Sequence, residues 1–414
     1  MAGKISFAVL FAFIFFAAQV SGAAERNKIV FLSDLHMNVD AGYSWLVNHA
    51  DDLANFLAGL EERDDVAEVV ILGDLVDQWV VPMKNTPNTF ADVLSAGNNA
   101  AIVAALRSLC ANPGLKVTYV TGNHDMLSFE AENKATLEAV FPGLQIVSDS
   151  PGMGAYTKND VIWAEHGHRY TMFNAPDTWS HRGSHLPLGY FISRMAATKS
   201  VASGQVVTTP DLLGQFIKKQ GKLSNTTGTL SGTTEKLSNT KGVFSDAFII
   251  GVFDAIALWC GVRPWNKFTM DDMDAFLTDP WALRISLMYD KIYSRWPVRQ
   301  DRVSPIEAVL DDMGCLNSAA NLIFEMPARL RDKYPFTPRI ILFGHTHQAT
   351  FQYHAGDAGT IYANTGTWID KKPMTWVEIE ISATQDGGQL YGVSLWYNGE
   401  TEPRQTATIE VSSD

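Results

Sequence analysis

Lys28-Ile29-Val30-Phe31-Leu32-Ser33-Asp34-Leu35-His36 decides the reading of this chain. Apolar residues run through it without alternation, the pattern of a strand buried on both faces of a parallel sheet, and the run stops on groups that can bind a cation. The same arrangement recurs. A β-branched run at 66–72 leads into Gly73-Asp74-Leu75-Val76-Asp77, and one at 116–121 into Gly122-Asn123-His124-Asp125. A run at 161–164 precedes His166, and one at 339–343 precedes Gly344-His345-Thr346-His347. Helical apolar spacing over 45–61 and 90–109 supplies βαβ crossovers between the first three. Beyond Gln348 the pattern changes to short strands with turn residues between them, at 350–353, 360–364, 375–381 and 389–397, which should pair antiparallel.

Loops after the strands of such a sheet are where ligands bind. Asp34 and His36 stand two apart, as do His345 and His347, and in an extended segment that spacing puts both side chains on one side of the chain. Gly73, Gly122 and Gly344 let the backbone turn sharply at the strand ends. Carboxylate, imidazole and one amide oxygen, without thiolate, suit Mn, Fe, Zn or Co. Charge counting favours two such ions. With Asp34 and Asp74 as the ionised ligands and Asn123 in place of a third carboxylate, a pair of divalent cations keeps positive charge enough for hydroxide and a phosphate oxygen together, the two-metal route to in-line displacement.

The 414 residues contain 46% apolar, 19% charged and 11% aromatic side chains, which excludes a disordered or fibrous chain. With 32 basic against 45 acidic residues, a net charge of -13 repels a nucleic-acid backbone, so the expected partner is a phosphorylated small molecule and no nucleic-acid polymer. No protein partner is expected, and a lipid or membrane-surface substrate stays open. An apolar run over 5–18 precedes small residues at 21–24, the pattern of a cleavable signal peptide over 1–22 and of a periplasmic or secreted enzyme. Of the three cysteines, Cys260 with Cys315 is the preferred pair if a disulfide forms; the other pairings and three buried free thiols stay open.

Residues 169–338 interrupt the strand rhythm with helical patterns at 210–220, 244–259, 271–277, 280–296, 305–313 and 318–334. Five tryptophans fall there, Trp179, Trp259, Trp265, Trp281 and Trp296, as expected of a helical core or of a cap over a pocket. The Ser-, Thr-, Asn- and Gly-rich stretch 223–242 reads as a surface loop. The expected organisation is therefore a core at 26–168, a helical cap at 169–338 and a second part of the core at 339–414.

In order, these motifs resemble those of the calcineurin-like metallophosphoesterase superfamily. The resemblance implies a four-layer α/β/β/α sandwich with a large helical insertion, and a dinuclear-metal phosphoric ester hydrolase acting on phosphate mono- or diesters through a metal-bridging hydroxide. It also implies that Asp34, His36, Asp74 and His347 hold one metal and that Asp74, Asn123, His166 and His345 hold the other. By the same likeness His124 contacts the substrate phosphate and protonates the leaving group, Asp77 orients it, and Asp125 supports the loop. His168 and Arg169, just past a ligand strand, are candidates for substrate contact. The position of the insertion is similar to that of bacterial UDP-diacylglucosamine pyrophosphatases, which implies an alternative lipid- or nucleotide-linked pyrophosphatase. There, however, His166 would be followed by Gly-Asp where this chain has Gly167-His168. A silent scaffold would have lost ligands, and every motif position here is filled.

Overall fold

The computed structural model describes residues 26–40, 42–149, 152–177, 186–209, 211–212, 215, 245–261, 291, 294, 296, 312–324, 338–356 and 359–412. The expected export segment, the 223–242 stretch, Trp179, Trp265, Trp281 and the helix expected at 271–277 lie outside them, as do most of those expected at 210–220, 280–296 and 305–313.

Two sheets form the centre. The larger orders its strands β12-β11-β10-β1-β2-β3-β4, and the smaller β5-β6-β7-β9-β8. In the larger, β1 (Lys28–Leu32), β2 (Val66–Leu72), β3 (Lys116–Val120) and β4 (Gln145–Val147) run parallel. The remaining three, β10 (Thr375–Ala383), β11 (Gln389–Tyr397) and β12 (Gln405–Val411), extend it antiparallel, as the alternation after Gln348 requires. In the smaller sheet β6 (Ile162–Ala164), β7 (Ile340–Phe343) and β9 (Thr360–Asn364) are parallel, with β5 (Tyr156–Lys158) and β8 (Thr350–His354) as antiparallel edges.

Burial explains the layers. Ile29, Phe31, Val70 and Leu72 of the larger sheet interdigitate with Ile162, Ala164, Leu342 and Ile361 of the smaller, which makes the inner layer. Val30, Leu32, Val69 and Ile71 point the other way, against Leu53 and Leu57 of α1 (Ala50–Glu61) and Ile102 and Leu106 of α3 (Ala100–Ala111). Trp163, Ile341 and Phe343 on the outer face of the smaller sheet meet α5 (Leu188–Ser203), α6 (Asp246–Trp259) and α7 (Asp312–Phe324). The result is the expected α/β/β/α stack. Between the sheets, Glu68 accepts from Thr118 Oγ1 at 2.8 Å, Tyr156 OH at 2.9 Å and Lys158 Nζ at 3.1 Å, so a buried carboxylate ties β2 to β5.

Several elements differ from the sequence expectation. The helix expected over 45–61 begins only at Ala50, because Asp370 accepts the N–H groups of Val47, Asn48 and His49 and holds them in a loop. That expected over 90–109 is two helices, α2 (Phe90–Ser95) and α3, separated by a 3-10 turn at Gly97–Asn99. Asn99 Nδ2 donates to Val93 O at 2.8 Å and to Asn38 O at 3.1 Å, so this side chain serves the end of α2. α4 (Ala131–Val140), α5, β4, β5 and β12 were not expected. Cys110 and Cys260 are free thiols, which excludes all three disulfide pairings, since each needs one of them. Among the described residues no helix is long and apolar enough to cross a membrane.

Candidate metal centre

Parallel pairing brings five strand ends to one edge of the two sheets. Asp34 and His36 follow β1, Asp74 and Asp77 follow β2, Asn123 and His124 follow β3, His166 follows β6, and His345 and His347 follow β7. Backbone bonds stitch neighbouring loops, Asp34 N to Gly73 O at 3.1 Å within the larger sheet and Gly344 N to His166 O at 3.1 Å within the smaller.

Glycine is required at these crossings. A Cβ on Gly122 would collide with the Asp74 carboxylate and backbone, and one on Gly344 with Ser33 Oγ and Asp34 Oδ2. One on Gly73, where φ is +81°, would lie 2.6 Å from both Gly122 Cα and the His166 ring. Asp34 (φ 56°), His36 (49°), Asp74 (54°), His345 (72°) and His347 (55°) are themselves in the left-handed region. Such backbone costs about 1–3 kcal/mol per residue and concentrates at functional sites, where the surrounding structure enforces it.

The donor atoms converge. One oxygen or nitrogen each from Asp34, His36, Asp74 and His347 lies within 4.8 Å of all the others, and all four residues are buried. His36 Nε2 and His347 Nε2 face each other at 3.0 Å. Asp34 Oδ1 is buried without a hydrogen-bond partner, 3.1 Å from His347 Nε2. A bare carboxylate oxygen and two converging imidazole nitrogens fit a cation better than one another. Beside them His166 Nε2 is 3.0 Å from Asn123 Oδ1 and 3.1 Å from Asp74 Oδ2, and His345 Nδ1 is 2.9 Å from Asn123 Oδ1. Asp74 Oδ2 is also 3.6 Å from His36 Nε2, so a single oxygen borders both groups.

Charges follow the geometry. Burial alone would lower the His36 imidazole, but hydrogen bonds to Asp34 and Asp77 and the charge of Asp74 carry it up to about 10. His166, likewise opposed by burial, is raised to about 9 by the charges of Asp74 and Asp34. Burial and the neighbouring His166 hold His345 well below its usual value. Asp125, whose carboxylate accepts from Gly122 N and Leu75 N at 2.7 Å each, is pushed up to about 6 by burial and by Asp74.

His124 stands next to the donor groups. Its backbone N–H donates to Asp74 Oδ1 and its Nδ1 meets Asp77 Oδ1, both at 2.8 Å, while Asp77 Oδ2 takes His36 Nδ1 at 2.9 Å. His168 packs on the His166 ring at 5.5 Å, and Arg169 turns elsewhere. His168 is buried with Nε2 3.0 Å from Gly152 O, and Arg169 Nη2 lies 3.2 Å from Met153 Sδ with Nε 3.5 Å from Glu165.

Sequence reasoning missed the supporting groups. Trp45 and Trp79 flank His124, with ring centroids at 5.3 and 4.7 Å. Ser33 Oγ bonds Asp34 Oδ2 and Thr365 Oγ1, and Thr367 Oγ1 donates to Asp34 O. His345 Nε2 lies 3.2 Å from both Thr171 Oγ1 and Asn174 Nδ2, and His166 Nδ1 lies 2.7 Å from Leu72 O. The Asn364-Thr365-Gly366-Thr367-Trp368 run at the end of β9 was the available signal for Thr365 and Thr367. Trp368 itself is core, packed on Phe56 and Trp376.

The family model of the calcineurin-like phosphoesterases matches residues 27–212. A search of solved structures finds a dimetal phosphatase from Danio rerio at 13% identity and a TM-score of 0.36, over 94% of this chain and 99% of that one. It also finds GAP50, the anchor in the inner membrane complex of Plasmodium, at 9% identity and a TM-score of 0.32, over 94% of this chain and 89% of that one. No curated protein matches.

Proposed function

Since residues 27–212 belong to the calcineurin-like phosphoesterases and the chain is a dinuclear-metal phosphoric ester hydrolase, we propose that it is an exported enzyme acting on small phosphate mono- or diesters, with His124 as the acid for the leaving group. The observation that carries the reading is the Asp74 carboxylate, with one oxygen 3.6 Å from His36 Nε2 and 3.1 Å from His166 Nε2. Asp34, His36, Asp74 and His347 would hold one ion and Asp74, Asn123, His166 and His345 the other. Bound there, a pair of divalent cations supplies an acidic water and a counter-charge for the phosphoryl oxygens.

The chain's own groups do the rest. Asp77 fixes the His124 ring through Nδ1, so Nε2 is the nitrogen that gives a proton to the departing oxygen as the P–O bond breaks. Trp45 and Trp79 shield that ring from water. His168 Nε2 and Arg169 are engaged by Gly152 and Met153, so neither is free for the substrate as it stands, while His168 Nδ1 is buried without a partner. Export is supported by the apolar run at 5–18, and a small substrate in preference to a nucleic-acid polymer by the net charge of -13. Hydrolysis of aryl phosphate mono- and diesters, mononucleotides, dinucleotides and acylated nucleotide pyrophosphates with added Mn, Fe, Zn or Co tests this. Turnover of small esters is expected; turnover restricted to acylated pyrophosphates would replace the substrate class.

A further inference from the structure

Arg194 sits in the middle of α5 and is fully buried, so it cannot reach a substrate. Its guanidinium is spent on the loop that follows Asp77. Nη2 donates to Pro82 O at 3.1 Å and Asn85 O at 2.5 Å, Nε lies 3.4 Å from Val81 O, and Nη1 donates to Tyr190 OH at 2.9 Å. Only a planar fork of donors spans three carbonyls in this way. A second tie from α5 reinforces it, with Met83 N donating to Thr198 Oγ1 at 2.9 Å.

The clamped loop is continuous with the acid's support. Asp77 Oδ1 accepts from Trp79 N at 3.0 Å and Val80 N at 2.8 Å as well as facing His124 Nδ1, so the carboxylate and the start of the loop move as one unit. Trp79 packs on His124 at 4.7 Å and on Tyr190 at 6.1 Å. We propose that Arg194 is a positioning residue that sets the His124–Asp77 pair from α5 by holding residues 81–85. The proposal rests on the reading of His124 as the leaving group's acid. A loosened loop lets Asp77 rotate and His124 lose its aim, while the ligand loops after β6 and β7 keep their own supports and His36, which Asp77 also holds, keeps Asp34 and His347 beside it.

The signature is a dependence on the leaving group. A phenolate such as p-nitrophenolate departs without a proton, whereas an alkoxide needs one. Metal-loaded full-length wild type, Arg194→Lys, Thr198→Val, His124→Ala and the Arg194→Lys/His124→Ala double variant are assayed on p-nitrophenyl and alkyl phosphate esters, with metal content measured for each. Arg194→Lys is expected to lower kcat on the alkyl ester roughly tenfold and on the aryl ester far less, with metal content retained, and to add nothing further in the His124→Ala background. Equal losses on both esters, an unchanged enzyme, or a full additional loss in the double variant would overturn the proposal. If Arg194→Lys does not fold, the same selective loss in Thr198→Val decides it, smaller in size, and its absence counts against. If His124→Ala itself shows no dependence on the leaving group, the acid assignment fails instead.

Discussion

Asp77 and His124 meet across the ends of β2 and β3 with 2.8 Å between Oδ1 and Nδ1, and the same carboxylate holds His36 through its other oxygen. One anion thus orients two imidazoles, that of His124, proposed to give the proton, and that of His36, proposed to bind metal. Although burial opposes it, the His124 and His36 contacts hold the Asp77 carboxyl well below its usual range. His124→Ala is expected to reduce kcat on alkyl esters by about 10²–10⁴ while metal content stays at the wild-type level, by steady-state kinetics and elemental analysis.

The second group of donors leans on a support that the first does not share. His345 Nε2 is 3.2 Å from both Thr171 Oγ1 and Asn174 Nδ2, and of the two only the hydroxyl oxygen can accept the Nε2 proton that leaves Nδ1 bare toward Asn123. Thr171→Val is expected to weaken one of two bound ions roughly tenfold and leave the other, a split that metal titration by calorimetry resolves.

Close backbone approach gives a sharper test of the geometry. Gly122 has no room for a methyl group, because a Cβ there lies against Asp74. Gly122→Ala is expected to cost about 1–3 kcal/mol of stability and to reduce metal affinity together, whereas Gly59→Ala, where a Cβ meets nothing, leaves both intact. Thermal melts with and without metal check this.

Glu68 makes stability depend on pH. Burial pushes its carboxyl up, but Lys116, Thr118, the charge of Lys158 and the Tyr156 hydroxyl hold it below its ordinary value of 4.5. A carboxyl depressed in the folded state stabilises that state above its unfolded value and loses the contribution as pH falls through the folded one. The melting-temperature deficit of Glu68→Gln is therefore expected to be largest above about pH 4.5 and to shrink on further acidification.

The strand ends were legible in the sequence because a buried parallel strand is a continuous apolar run and each run gives way to Asp34, Gly73, Gly122, Glu165 or Gly344. The same rule missed β12, an edge strand where only Ile409 is fully buried, with Ala407 and Val411 half-buried beside it, and β4 and β5, which are three residues long. α5 escaped because it is buried from Leu188 to Ala197 on every side, Arg194 included, which erases the polar stripe of an amphipathic helix. Within the site, residues at fixed spacing in motifs could be named in advance. Trp45, Ser33 and Thr171 could not, since their part in it comes from loops meeting in space.

The central claim is that Asp74 joins two ions in one cage, and metal stoichiometry by elemental analysis of the purified chain, wild type against Asp74→Ala, tests it most directly. Two equivalents in the wild type, with loss of both in Asp74→Ala, are expected. A wild type saturating at one equivalent, or an Asp74→Ala variant that keeps two, would contradict it.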